Sequence, residues 1–291
     1  NQDTKMDSGA AYVFVREGSS WMQRAYIKAS NSEEQDHFGM RVAISANTIA
    51  ASAPDEDSSA SGVQGNQQDN SAVNSGSVYI YRSMNTSWEQ RAYIKASNTE
   101  QVDNFGASLA LHGDTLVVGA PKESSNATGV NGNQNSNTAS DSGAAYVFVE
   151  NAGTWSQQAY LKASNTGAED RFGRSVAIHG NAILVGAHEE DSNATGFLGA
   201  DAMDNSSSNA GAAYLYARDP QSSEWSFGAY VKATNSGMND RLGWSVAITA
   251  DAIAAAAYTE GSDATGIGGA QDNDNMPNSG AIYVTDFIAL P

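Results

Sequence analysis

The sequence predicts an all-β chain, a β-propeller of four-stranded antiparallel blades, on three observations. Tryptophans recur at Trp21, Trp88, Trp155 and Trp225, at spacings of 67, 67 and 70. A pair ending in glycine recurs at the same spacings, as Phe38-Gly39, Phe105-Gly106, Phe172-Gly173 and Leu242-Gly243. Between these marks lie short apolar runs rich in Val, Ile and Tyr, with no helical periodicity. A fixed long period marks a repeat architecture, in which each unit buries its apolar surface against its neighbours.

Each repeat divides into four segments. Segment A follows the Phe-Gly pair, as in Ser108-Leu109-Ala110-Leu111 and Ser175-Val176-Ala177-Ile178. Gly113-Asp114 or Gly180-Asn181 then supplies a tight hairpin turn into segment B, such as residues 116–121. A long polar loop leads to segment C, residues 143–149, and a short turn leads to segment D, residues 155–163. Segment C is apolar at successive positions, which calls for a strand covered on both faces. Segment A carries Ala and Ser, small enough for an innermost strand near a crowded axis. A β-solenoid is the alternative, but antiparallel hairpins in coils of this length disfavour it.

Segments A, B and D each occur four times and segment C five times. The chain begins with a C and a D segment, Gly9 to Val15 and Trp21 to Ala29, and its last repeat contains A, B and C only. One domain over residues 1–291 is therefore expected, with units at 30–97, 98–164, 165–234 and 235–291. Residues 1–29 would complete the last blade, so that N- and C-terminal strands share it and close the ring. The surplus C segment leaves room for pairing with a neighbouring molecule by strand addition.

The Phe-Gly opening, the Val118-Gly119-Ala120-Pro121 ending of segment B and the Gly-x-x-Tyr pattern of segment C resemble FG-GAP repeats, the units of the integrin α-chain β-propeller. The resemblance implies the propeller fold and a place on a cell surface. Segment B departs from it at Ala51-Ser52-Ala53-Pro54, Gly186-Ala187-His188 and Ala256-Ala257-Tyr258. The integrin calcium loop, Asp-x-Asp-x-Asp-Gly between A and B, is absent, because the A–B turns are too short to hold it.

A net charge of −18 lacks the basic footprint of a nucleic-acid binder and disfavours anionic lipid. No apolar run is long enough to span a membrane. The absence of cysteine removes disulfides, thiolate metal sites and thiol catalysis. Low charged content (16%) with abundant Asn, Ser, Thr and Gly suits a secreted or surface-exposed protein with solvated loops.

Candidate ligands therefore fall in the loops at the B–C and D–A end of each sheet, where a rigid scaffold presents variable sequence. Calcium is the one cofactor suggested, through Asp55, Glu56 and Asp57, through Glu189, Glu190 and Asp191, and through Asp272, Asp274 and Asn275. Such loops offer the many oxygen ligands calcium takes; plain solvation is the alternative. Asp36, Asp103, Asp170 and Asp240 precede the Phe-Gly pair by two residues and are expected to set the turn, by bonding backbone N–H groups two residues on. Lys28, Lys95, Lys162 and Lys232 are expected as rim charges paired with carboxylates, and the four spaced tryptophans as packing residues.

Trp244 stands outside the series and could line the loop face. His188 begins an acidic run that could hold a metal, but no second histidine accompanies it. No nucleophile elbow, zinc-binding helix or phosphate loop is present, so a non-catalytic role is expected. An extracellular glycan, a protein, or further copies of the chain are the expected partners. The alternatives are a structural subunit of an extracellular filament and a lyase-like carbohydrate-active protein.

Overall fold

A computed structural model describes residues 5–85, 87–197 and 203–286. Among them are seventeen strands and no helix: β1 (Ala11–Glu17), β2 (Ser20–Ile27), β3 (Val42–Ser45), β4 (Thr48–Ala53), β5 (Ser77–Met84), β6 (Ser87–Ile94), β7 (Ser108–His112), β8 (Thr115–Ala120), β9 (Ala144–Asn151), β10 (Thr154–Leu161), β11 (Ser175–His179), β12 (Ala182–Ala187), β13 (Ala212–Arg218), β14 (Trp225–Val231), β15 (Leu242–Ile248), β16 (Ala252–Ala257) and β17 (Ala281–Asp286). The chain divides into two compact units, one reaching Val118 and including Val147–Gln158, the other comprising Gly119–Tyr146 and the residues from Ala159 on.

Three sheets have four antiparallel strands in sequence order: β3 to β6, β7 to β10 and β11 to β14. Each is an A-B-C-D set, which makes this a β-propeller-like repeat fold. The expected turns at Gly113-Asp114 and Gly180-Asn181 join A to B, with φ of 56° and 57° at their glycines. In three C–D pairs the register slips at the same place, between Val13 and Phe14, Ile80 and Tyr81, and Leu215 and Tyr216. Such a bulge adds local twist.

The Phe-Gly pair has a packing reason. Gly143, just before β9, has φ 80° and forms an isolated parallel bridge with Phe172, whose N–H donates to the Ser142 carbonyl at 2.9 Å while the Gly143 N–H donates to the Glu123 carbonyl at 2.8 Å. A Cβ on Gly143 would fall on the carbonyl oxygen of Phe172. The Phe172 ring then meets Tyr214 edge-on at 5.3 Å and Tyr216 at 6.1 Å. Phe38 repeats this against Tyr79 and Tyr81. Edge-to-face pairs of this kind stabilise a core beyond their buried area.

The first unit's core sets Ala11, Val13, Ile27 and Ala29 of the first hairpin against Phe38, Ile49, Ala51, Tyr79 and Tyr93 of the next sheet. The second unit repeats the scheme, with Ala213, Leu215 and Val231 against Leu242, Ile253 and Ala255. An aliphatic face thus meets an aromatic or bulky face.

Coverage on both faces holds for β5, β9 and β13, whose first five residues are all buried. It fails for β1 and β17, where buried or half-buried positions alternate with exposed ones before the pattern opens to solvent. Trp155 and Trp225 are buried as expected, whereas Trp21 is 68% exposed, because no sheet covers that face of β2 among the described residues. The strand expected to complete the fourth sheet, β2, is hydrogen-bonded to β1 in a sheet of two, and β15, β16 and β17 form a sheet of three. The outermost residues of the expected units, 1–4 and 287–291, lie outside the described residues.

Candidate functional site

The B–C loop of every complete repeat is anchored by a buried ion pair. Glu56, three residues beyond β4, meets Lys95 at the end of β6 at 2.9 Å, and both side chains are at most 2% exposed. Glu123 meets Lys162 at 2.9 Å and Glu190 meets Lys232 at 3.0 Å in the same way. The second carboxylate oxygen accepts from Tyr93, Tyr160 or Tyr230 at 2.8–2.9 Å. Asn31 and Asn165 donate to the carboxylate in two repeats, at 2.8 Å each. Lys95 and Lys162 also donate to Ser75 and Ser142, at 2.7 Å. Lys232, which faces Ala210 at the equivalent place, donates instead to the Ser192 carbonyl.

Two backbone bonds complete the clasp: the Gly62 N–H reaches the Ala96 carbonyl, and the Lys95 N–H reaches the Gly62 carbonyl. The lysines are therefore buried structural cations, not the rim charges expected. Burial pulls Lys95 and Lys232 below the ordinary lysine range, opposed by the facing carboxylate. Tyr93 and Tyr230 are raised, chiefly by burial.

The acidic residues proposed as metal ligands are dispersed among such tasks. Asp55 pairs with His37 at 2.7 Å and accepts from Asn104 at 3.2 Å. Asp57 and Asp191 accept the backbone N–H groups of Asn74 and Asn209, both at 2.8 Å. Glu189 forms an ion pair with Arg171, and Glu190 turns inward to Lys232. Asp274 lies beside Gly261, and Asp272 is exposed in the same loop. Among the described residues no three His, Asp or Glu side chains gather into a metal-binding group.

The aspartates before the Phe-Gly pairs do set a turn, but the bond runs backward. Asp36, Asp103, Asp170 and Asp240 accept the N–H of the residue three earlier, at 2.6–3.0 Å. Burial raises Asp36 to about 6 and Asp170 to about 7, against the lowering effect of that bond. Asp240 is raised for the same reason.

The repetition breaks in the second unit. His188 stands where two other repeats have Pro54 and Pro121, and it is 2% exposed. Its ring meets Trp244 edge-on at 5.0 Å. Trp244 packs on Tyr258 at 4.2 Å, and the Arg174 guanidinium lies 4.0 Å above the indole. Arg241 donates to the Tyr258 hydroxyl at 2.7 Å and lies over that ring at 5.9 Å. Burial, with Arg174, Arg171 and Arg241 nearby, lowers His188 to about 3, so it is neutral at pH 7. Its Nδ1 has no hydrogen-bond partner within the protein. Two guanidinium groups stacked on two aromatic rings form a half-exposed positive patch on a strongly negative chain.

The family model described as FG-GAP repeat matches residues 21–81, 88–148 and 155–216, more than half of the sequence. The chain belongs to the FG-GAP repeat family. Comparison with curated protein sequences found no match.

Each FG-GAP match begins at or beside the segment D tryptophan and ends in segment C, so the family unit runs D-A-B-C. The hydrogen-bonded sheet runs A-B-C-D, and each family unit therefore bridges two sheets. The Phe-Gly pair is the hinge of that bridge, being bonded to the start of the preceding C strand. The two-residue A–B turns leave no room for the calcium loop of integrin FG-GAP units. The Arg–Trp–Tyr patch grows from the same hinge, since Arg174 and Trp244 are the residues that follow Gly173 and Gly243.

Proposed function

We propose that this chain is an extracellular, non-catalytic binding protein. Its FG-GAP repeats form the blades of a β-propeller, and its loop-bearing side takes an acidic glycan at the patch of Arg174, Arg241, Trp244 and Tyr258. The observation that carries this reading is that patch, where side chains leave the repeating scheme. FG-GAP repeats are typical of extracellular or cell-surface proteins, which supports the location. No helix among the described residues is long and apolar enough to cross a membrane.

The chemistry favours a sugar acid. Aromatic rings offer an apolar platform for a pyranose face, and arginine forks recognise carboxylate or sulfate in a bidentate manner. The surrounding negative field repels acidic polymers at long range, so binding should strengthen as salt screens that repulsion and then weaken as salt screens the patch itself. His188, neutral and buried, packs against Trp244 and carries no imidazolium charge at pH 7.

Titration calorimetry with oligogalacturonate, against a neutral oligogalactan as control, tests the proposal. Binding of the acidic oligomer alone, lost in Arg174→Ala and Trp244→Ala, is the expected result. Equal affinity for the neutral oligomer would overturn it. New unsaturated ends appearing on the oligogalacturonate would replace it with a lyase.

A further inference from the structure

Two of the buried anchors hold more than an ion pair. In the first compact unit Glu56 sits between two nitrogens, with Lys95 Nζ at 2.9 Å from Oε2 and Asn31 Nδ2 at 2.8 Å from Oε1. In the second unit Glu190 holds Lys232 Nζ at 3.0 Å and Asn165 Nδ2 at 2.8 Å, again on opposite oxygens. An amine and a carboxamide are thus held on the two arms of one carboxylate. Each partner is oriented from a further side. Tyr79 donates to Asn31 Oδ1 at 2.5 Å, and Tyr214 donates to Asn165 Oδ1 at 2.7 Å. Asn31 Nδ2 also donates to the Gln67 carbonyl at 3.0 Å. Ser75 Oγ accepts from Lys95 Nζ at 2.7 Å, and the Ser192 carbonyl accepts from Lys232 Nζ at 2.6 Å. Tyr93 and Tyr230 donate to the same glutamate oxygens as the two asparagines.

Lys95, Lys232, Glu56 and Glu190 are buried, and Asn31 is only 8% exposed. A lysine in such a place is a structural cation while it keeps its proton and a nucleophile once it loses it. Burial favours the uncharged amine, and the facing carboxylate is the group placed to take the proton. Burial also raises Tyr79 and Tyr214, which keeps their hydroxyls protonated and donating to the amide oxygens.

We propose that Lys95 joins Asn31, and Lys232 joins Asn165, through intramolecular isopeptide bonds that the folded chain forms by itself. Lysine Nζ attacks asparagine Cγ; the Nζ–Cγ bond forms and the Cγ–Nδ2 bond breaks. Two protons of the lysine ammonium pass through the carboxylate to Nδ2, which departs as ammonium. The carboxylate ends as it began, and the balance needs no oxidant. The tyrosine hydroxyl stabilises the negative charge that builds on Oδ1 at the tetrahedral stage. Holding both reactants on one group makes the attack intramolecular, where orientation supplies much of the rate. Asn31 follows β2 and Lys95 follows β6, whereas Asn165 follows β10 and Lys232 follows β14. Each bond therefore ties the linker after one D strand to the end of the next, in a chain that has no cysteine for a disulfide. This inference is independent of the acidic-glycan reading.

Intact mass spectrometry and peptide sequencing of the purified full chain test it. Wild type should weigh less than its sequence by two ammonia molecules. Digestion should release branched peptides that join Asn31 to Lys95 and Asn165 to Lys232. Lys95→Arg keeps the charge opposite Glu56 but removes the nucleophile, so that variant should lose one ammonia only. Glu56→Gln keeps a hydrogen-bonding side chain but removes the proton carrier; in freshly synthesised chain the Asn31–Lys95 bond should form about 100-fold more slowly. Tyr79→Phe should slow the same bond by about 100-fold. All three variants should still join Asn165 to Lys232, which gives a reference bond within the same molecule. A wild-type chain of full sequence mass, or ammonia loss without branched peptides, would overturn the proposal. The absence of either branched peptide would overturn it for that pair, and a Glu56→Gln chain cross-linking at the wild-type rate would overturn the role of the carboxylate.

Discussion

Replacing Glu123 with alanine probes what the buried anchors contribute. The carboxylate accepts from Lys162 and Tyr160, each at 2.9 Å, and Lys162 is fully buried. Deleting one member of a buried pair strands the other charge in a poorly hydrated interior, at a cost of about 3–5 kcal/mol. The Ser142 hydroxyl, 2.7 Å from Lys162 Nζ, remains and offsets a fraction of that. A domain of this size loses on the order of 2–4 °C per kcal/mol, so the melting midpoint should fall by roughly 10 °C. Replacing both partners, as Glu123→Met with Lys162→Met, removes the stranded charge and should recover most of the loss, because apolar substitutes of similar volume are often neutral. Differential scanning calorimetry at pH 7 on the wild type and the single and double variants gives the comparison. A single variant melting within about 2 °C of wild type would mean that Lys162 escapes to solvent, and the anchor would then be dispensable.

Other consequences are open to direct measurement. Asp36 and Asp170 hold protons more tightly when folded, at about 6 and about 7 against an ordinary value of 3.8; their contribution is full below the unfolded value and is lost as pH rises through the folded one. Chemical denaturation should therefore show stability rising as pH falls from 7 to 5, and Asp170→Asn should flatten that slope; an unchanged slope would refute the assignment. Gly143→Ala should cost at least about 1–3 kcal/mol, since it forces a side chain into φ 80° and onto the Phe172 carbonyl; a variant as stable as wild type in urea would show that the hinge yields. Millimolar calcium should leave the melting midpoint in place, because the loop carboxylates Asp55, Asp57, Glu189, Glu190 and Asp191 are engaged within the protein; a rise of several degrees, reversed by chelator, would assign those loops a metal.

Strand positions were legible because they obey local rules. Val, Ile and Tyr in short runs, glycine beside Asn or Asp at the hairpins and the spacing of Trp and Phe-Gly place most strands to within two residues. The anchors were not legible by hydropathy. Glu56 sits in Asp55-Glu56-Asp57 and reads as a solvated run, and a lysine ending a strand reads as surface. Only the recurrence of Glu56, Glu123, Glu190 and Glu260 at 67, 67 and 70 residues betrays a required position, and it is the same period as the tryptophans. The backward bond of Asp170 was missed because the turn geometry, not the residue type, chooses which N–H it meets. The positive patch joins residues from three separate segments; Trp244 alone hinted at it, by standing outside the series.

The clasp at the base of each polar loop fixes the loop's two ends to one strand, whatever the loop carries between them. Between the bonds at Asn133, whose carbonyl accepts from Ser125 Oγ at 3.0 Å, and at Ala139, the exposed Asn135 marks the outer tip of the loop. The third repeat absorbs its three extra residues between Glu190 and Lys232 and still keeps its ion pair at 3.0 Å. Such a tip is a ready place to graft a foreign epitope: the insert would be displayed on a short tether while the fasteners beneath it, and the strands they hold, carry on undisturbed.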